Sequence, residues 1–233
     1  MKYIQNFVGW VNESNVTDSP ANNIFYGNQP IELQKLADLS NDNIKTWFIN
    51  KGLVDKFVEN APKNDSEKTL EDLNILLGKM KNVTPEDLIF ARHIDDELNI
   101  PKAFVAVLSK YGIEMSAEEH LRIESQSDAI LFHLKDVINR PRPYQLAYYY
   151  KKPLYPLIRT NAMTASYPSG HALAGIMMAE YYSNKYPEAA NDLRELGDKI
   201  AMSREMTGIH YPSDTEVSRE IAKIIIDNNL LED

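Results

Sequence analysis

Pro168-Ser169-Gly170-His171-Ala172-Leu173-Ala174-Gly175-Ile176-Met177-Met178-Ala179 is the stretch on which the fold turns. Pro168 closes an extended approach, and Ser169 is a natural N-cap whose hydroxyl can accept from the first free amides of a helix. The run after it carries apolar residues on every face, the mark of a helix buried in a core. Gly170 permits close approach of the backbone, and the free N–H groups of such a helix start are a ready site for an anion. His171 falls in the first turn beside that site. The positive end of the dipole disfavours imidazolium and a bound anion favours it, so its protonation can be tuned.

Helix signals continue on both sides. The spacing predicts helices over about Ser169 to Lys185, Pro187 to Met206 and Asp214 to Asn229. Upstream, cap candidates at Ser40 to Asn43 precede Ile44, Trp47, Phe48, Leu53, Val54 and Phe57, and Ser66 opens a stretch with Leu70, Leu73, Leu76 and Leu77. Thr84-Pro85-Glu86-Asp87 combines a cap, a proline at the first helical position and acids facing the dipole. Ser116 with Glu119 reads as a capping box that opens one long helix toward Lys135. Tyr148-Tyr149-Tyr150 is the nearest thing to a strand signal, and alternating β-branched runs are missing. The expectation is an all-α, single-domain helical bundle over residues 31–233, preceded by an irregular arm over residues 1–30.

Composition narrows the chemistry. The 233 residues include no cysteine, which removes disulfides, thiolate zinc sites and cysteine nucleophiles. A net charge of −9 argues against a nucleic-acid partner and draws attention to any local cluster of cations, because an acidic chain that gathers them is holding an anion there. The amino terminus lacks the apolar stretch of a secretory signal. The apolar run Ala172 to Ala179 is far short of the roughly 20 residues that cross a bilayer. A cytoplasmic enzyme without a membrane partner is expected, and Asn-x-Ser/Thr sites at Asn12, Asn15 and Asn82 carry little meaning there.

Two further segments belong with Pro-Ser-Gly-His. Lys135 stands near a helix end and Arg142 follows Pro141, a point charge and a planar fork that both suit phosphate oxygens. Ser203-Arg204 is followed by His210 and Asp214. Arg204 lies in the last turns of a helix broken at Thr207-Gly208, and His210 lies in the loop before the next helix. A carboxylate that engages one ring nitrogen leaves the other free as a nucleophile. Taken singly, each segment also reads as an ordinary capped or basic helix terminus. Eleven identities at roughly one in twenty each, discounted for free choice of the two gaps, leave a chance match on the order of 10⁻⁸.

Lys-x6-Arg-Pro, Pro-Ser-Gly-His and Ser-Arg-x5-His-x3-Asp resemble the three-part signature of the type 2 phosphatidic acid phosphatase (PAP2) superfamily. That superfamily includes lipid phosphatases, bacterial class A acid phosphatases and vanadium-dependent haloperoxidases. The gap lengths, Ser166-Tyr167 and Leu196-Gly197 are most similar to the class A acid phosphatases. The resemblance spans residues 135–214, and the first half of the chain offers only a compatible helical pattern. It implies the PAP2/vanadium haloperoxidase bundle and a metal-free phosphatase. In that scheme His210 is the nucleophile, oriented by Asp214, and His171 is the acid and then the base. Lys135, Arg142, Ser169, Gly170 and Arg204 hold the phosphoryl oxygens of a small phosphorylated substrate. No cofactor is implied, vanadate would bind as a phosphate mimic, and a homodimer is possible.

Arg140-Pro141 is a second Arg-Pro pair two residues early. The family spacing selects Arg142 and leaves Arg140 in support. His93 with Asp95 and Asp96 could be imagined as a metal site but reads better as a solvated helical face. His120 and His133 read as structural. The tyrosines at 148–150 either line a pocket mouth or pack. A vanadate-dependent haloperoxidase, a pyrophosphate/nucleotide phosphatase-phosphotransferase and an idle anion-binding module are the competing functions, and the complete His171, His210 and Asp214 set argues against the module.

Overall fold

The computed structural model describes residues 19–27, 43–96, 98–160 and 162–232. Among them every regular element is helical. In chain order these are α1 (Asn43–Asn50), α2 (Leu53–Asn60), α3 (Glu67–Met80), α4 (Pro85–Ile94), α5 (Asn99–Ser109) and α6 (Ala117–Glu124). Then come α7 (Asp128–Ile138), α8 (Pro143–Tyr149), α9 (Gly170–Lys185), α10 (Ala190–Met206) and α11 (Pro212–Asp227). Among the described residues no helix is long and apolar enough to cross a membrane.

The start signals act as their chemistry requires. Ser66 Oγ accepts from the Thr69 N–H at 3.2 Å to open α3. Thr84 and Asp87 exchange side-chain and backbone bonds around Pro85 at the head of α4. Ser169 caps α9 through the Ala172 N–H at 3.4 Å. The cap candidates at Ser40 to Asp42, and most of the expected arm, lie outside the described residues. Of that arm, residues 19–27 are described: Ala21 is fully buried, and its carbonyl and that of Ile24 accept from Asn64 Nδ2 at 2.8 and 2.7 Å.

One local expectation needs correction. The single helix from Ser116 toward Lys135 is interrupted by a 3-10 turn over Ser125–Ser127, so that α6 ends and α7 begins anew at Asp128. Ser125 Oγ bonds the Arg122 carbonyl at 3.2 Å and Ser127 Oγ the Glu124 carbonyl at 3.1 Å, the local side-chain competition that tightens and breaks helices at serines. Tyr148 and Tyr149 are helical: Pro143 occupies the first turn of α8, and the Arg142 N–H donates to Gln145 Oε1 at 2.7 Å.

Helix α9 is the axis of the bundle and packs along α10 and α11. Ala172 to Ala179 are all buried, as are Tyr182 and Ser183. The approach of α9 to α10 depends on two glycines. A Cβ on Gly197 would stand 2.7 Å from both Ala179 Cβ and the Gly175 carbonyl oxygen, and one on Gly175 would stand 3.0 Å from Ile200. This contact packs the middle of α9 closely against the middle of α10. Helix α7, carrying Lys135, packs against α1 and α2 and contributes Ile130, Leu131 and Leu134 to the same core.

Candidate active site

The third motif is shaped by how α10 stops. Thr207 ends the helix, and Gly208 takes φ +75°, a left-handed conformation that glycine adopts without strain. The Ile209 and His210 amides then fold back onto the Arg204 carbonyl at 3.0 and 3.3 Å, which fixes His210 against the end of the helix that bears Arg204. Pro212 opens α11, and Asp214 reaches back to accept from the Tyr211 N–H at 3.0 Å. The same Oδ2 lies 3.1 Å from His210 Nδ1. Asp214 thus caps a helix and orients a ring at once. A carboxylate only accepts, so Nδ1 carries the proton and Nε2 presents a lone pair. That lone pair faces Arg142 Nη1 at 2.7 Å.

Asp214 is held from several sides. Arg140 Nη1 donates to its Oδ1 at 2.7 Å, and the Ser166 hydroxyl bonds its Oδ2. Burial pushes the Asp214 carboxyl upward, opposed first by the Arg140 guanidinium and then by the Ser166 and Tyr211 donors. Arg140 also donates to Ser213 Oγ at 2.7 Å and Thr69 Oγ1 at 3.1 Å, lies 3.6 Å from Asp72 Oδ2, and covers the Tyr211 ring at 3.8 Å. The two-residue difference in register therefore separates two functions. Arg142 meets His210, and Arg140 fixes the carboxylate behind it.

Arg142 is 1 % exposed, and its partners are neutral: the Thr164 carbonyl at 2.9 Å, the Ile209 carbonyl at 3.3 Å, the Thr164 hydroxyl at 3.4 Å and His210. Among the described residues no carboxylate lies within ion-pair distance of it. Burial accordingly pulls its guanidinium below the ordinary arginine value. Lys135 is equally buried and donates to the Ala165 carbonyl at 2.5 Å. Arg204 pairs through Nη2 with Asp95 Oδ1 at 2.7 Å, with Thr160 Oγ1 at 3.5 Å. Here the expectation of a solvated face at Asp95 fails: its side chain is 8 % exposed and neutralises a buried arginine from another helix. His93 on the same helix is exposed, as expected.

His171 bonds through Nε2 to the Ile94 carbonyl at 2.9 Å. A carbonyl cannot donate, so Nε2 bears the proton and Nδ1 is left for chemistry. Its pKa is driven well below 6.5, first by burial, then by Arg204, His210 and Arg142, against the Ile94 bond that raises it. His210 is driven down likewise, by burial, then Arg142, Lys135 and Arg204, while a backbone bond to Ser166 opposes. Each imidazole thus feels the other motifs' charges, and Lys135, Arg142, Arg204, His171 and His210 form one electrostatic cluster. Ser169 is locked to α11, its N–H donating to Ser218 Oγ at 3.0 Å and its carbonyl accepting from that hydroxyl at 2.9 Å. Gly170 follows as the first residue of α9, and a Cβ there would come within 3.2 Å of Leu131 Cδ2.

The connection from α8 to α9 supplies backbone to the cluster. The Thr164 carbonyl holds Arg142, the Ala165 carbonyl holds Lys135, Ser166 holds Asp214, and Thr160 bonds Asp95 at 2.9 Å. Sequence reasoning assigned no role to Thr160, Thr164 or Asp72. Nothing in their local spacing marks them.

Residues 126–226 match the model of the PAP2 superfamily. Over that segment the chain is similar to the PAP2 superfamily. A non-specific acid phosphatase of Salmonella typhimurium is 36 % identical over 65 residues, which cover 28 % of this chain and 26 % of that relative. The chain is also similar to the transmembrane PAP2 type phosphatidylglycerolphosphate phosphatase from Bacillus subtilis. That likeness covers 81 % of this chain and 96 % of the other, at 13 % identity and a TM-score of 0.49. Lys135, Arg142, Ser169, Gly170, His171, Arg204, His210 and Asp214 all lie inside the PAP2 segment, whereas Asp72 and Asp95 lie before it.

Proposed function

We propose that the chain is a metal-independent phosphomonoester hydrolase that works through phosphohistidine on small phosphorylated substrates. The observation that carries this reading is His210: one nitrogen is held by Asp214 at 3.1 Å, and the other stands 2.7 Å from a buried arginine that has no carboxylate partner among the described residues. A buried cation with neutral partners is costly until an anion joins it. A nucleophile beside that cation is where the phosphorus of such an anion would be attacked.

In the first step the His210 Nε2 lone pair forms a bond to phosphorus while the ester P–O bond breaks. The electron pair of that bond leaves with the alcohol oxygen, which takes a proton from His171. In the second step His171 removes a proton from water, the hydroxide attacks phosphorus, and the N–P bond returns its pair to Nε2. Lys135, Arg142, Arg204, Ser169 and the Gly170 amide stabilise the charge spread over the equatorial oxygens, a contribution that positioned cations and helix-start amides can make as metal ions do elsewhere. Asp214 keeps Nδ1 protonated and the ring aligned throughout. In the resting site both imidazoles are neutral, so the proton that His171 delivers arrives with the substrate monoanion or is drawn in by the bound phosphate.

Hydrolysis of p-nitrophenyl phosphate in the presence of chelator, inhibited by vanadate as a phosphate mimic, is the expected behaviour. Acid quench during turnover traps phosphate on His210. A His210→Ala variant that retains full activity refutes the mechanism. Bromide oxidation by peroxide after vanadate loading, without ester hydrolysis, assigns the haloperoxidase reaction instead.

A further inference from the structure

Beside the catalytic cluster lies a small pocket of about 40 Å³, between the start of α9 and the broken junction of α6 and α7. Gly170 and His171 form one side of it, Leu131 and Phe132 give it an apolar wall, and Glu124 and Asp128 bring two carboxylates. Glu124 is held in place: its Oε2 lies 3.0 Å from His120 Nε2, and the Tyr182 hydroxyl meets His120 Nδ1 at 3.0 Å. The His120 ring is fully buried and stacks on Phe104 with centroids 5.1 Å apart. The histidine that the sequence marked as structural therefore anchors an acid at the edge of a pocket that His171 shares.

We propose that this pocket receives the leaving alcohol and selects alcohols carrying a positive charge over those carrying further negative charge. This rests on the reading of His171 as the group that protonates the leaving oxygen. A proton donor must lie within hydrogen-bond reach of that oxygen, so the carbon chain attached to it occupies the space beside the His171 ring. The pocket is that space. Room for one water is about 10–15 Å³ on the same measure, so it admits a chain of two or three heavy atoms before opening outward. An aminoethyl group would bring its ammonium toward Glu124 and Asp128 while its methylenes lie on Leu131 and Phe132. A carboxymethyl group of the same length would bring like charge to the same place. Across about 6 Å in a partly wet site, one such carboxylate shifts preference on the order of tenfold.

The test compares kcat/KM for O-phosphoethanolamine and 2-phosphoglycolate on the full chain at fixed ionic strength, with p-nitrophenyl phosphate alongside. The wild type is expected to prefer the ethanolamine ester by about tenfold or more. Glu124→Gln, which keeps an acceptor for His120, and Asp128→Asn are each expected to lower that ratio several-fold, mainly by improving phosphoglycolate. Should one variant fail to fold, the other and the wild-type ratio still decide. A wild-type ratio of one or less, or a ratio unmoved by both substitutions, overturns the subsite while aryl phosphate turnover leaves the phosphatase reading intact. Absence of turnover on all three esters overturns that reading, and the subsite with it.

Discussion

Acidification from pH 7 to pH 5 is expected to destabilise the protein by up to about 3.8 kcal/mol through His171 and His210 alone. Both rings are buried and held well below 6.5 in the folded chain, His171 by burial and then Arg204, and His210 by burial and then Arg142. In the unfolded chain each titrates near 6.5. Well above pH 7 the rings are neutral in both states and contribute nothing to the pH dependence. Below 6.5 the unfolded chain takes up protons that the folded chain refuses, so the unfolded state gains and stability falls with pH. A ring that stays neutral when folded loses about 1.9 kcal/mol between pH 7 and 5, and two lose twice that. Asp214 acts in the opposite sense, because burial raises its carboxyl in the folded state, so the sum for the two rings is the upper figure. Urea denaturation at pH 7, 6 and 5 measures the loss from the midpoint and slope. His210→Gln and His171→Gln should each remove about half of it, and saturating inorganic phosphate should flatten it by restoring a partner for imidazolium. A wild type whose stability is level from pH 7 to 5, or variants that both keep the full loss, would refute the claim that the site holds two neutral imidazoles among fixed cations.

Three other substitutions probe the supports of the site. Asp95→Asn removes the countercharge of Arg204 while keeping its shape. It should lower kcat/KM for an aryl phosphate by about 10- to 100-fold with an unfolding midpoint near that of the wild type, less than the roughly 10²–10³-fold cost of deleting an oxyanion donor because Arg204 is displaced and not removed; full activity would show that the pair is idle. Arg140→Met leaves Asp72 and Asp214 buried without their shared cation. It should cost about 3–5 kcal/mol in urea denaturation, and a loss under about 1 kcal/mol would contradict the buried-pair geometry. Gly197→Ala puts a methyl 2.7 Å from the Gly175 carbonyl oxygen and Ala179 Cβ, where backbone must move. A destabilisation of about 1–3 kcal/mol is expected, and an unchanged midpoint would mean that α9 and α10 are further apart than described.

What the sequence made legible was local. Thr84, Ser66 and Ser169 cap helices because a hydroxyl and the amides three residues on are neighbours in any chain that turns helical. His210 and Asp214 meet because four residues across a helix start bring a ring to a carboxylate. The same rule says nothing of length at Ser116, where a good start opens a short helix. The serines at 125 and 127 stop that helix by bonding backward, and the start signal does not record it. Asp95 was misjudged for a different reason. Its sequence neighbourhood gives it an exposed setting, and partners far along the chain, Thr160 and Arg204, the latter 109 positions later, cover it.

That failure identifies what the first half of the chain contributes, where no motif was found. The cations and imidazoles lie in the segment similar to the PAP2 superfamily, but much of what neutralises and orients them does not. Asp72 and Thr69 of α3 hold Arg140, which holds Asp214. Asp95, just past α4, holds Arg204, and the last carbonyl of α4, at Ile94, fixes the tautomer of His171. Such partners need only be an acid or a carbonyl at the right point in space, and many backbones can supply one, so no spacing in sequence betrays them. Under the proposed function, the groups that touch phosphate would instead have to present fixed donors in fixed order, which confines them to a short signature. A motif search therefore finds the residues proposed to do the chemistry and misses those that make it possible to bury them.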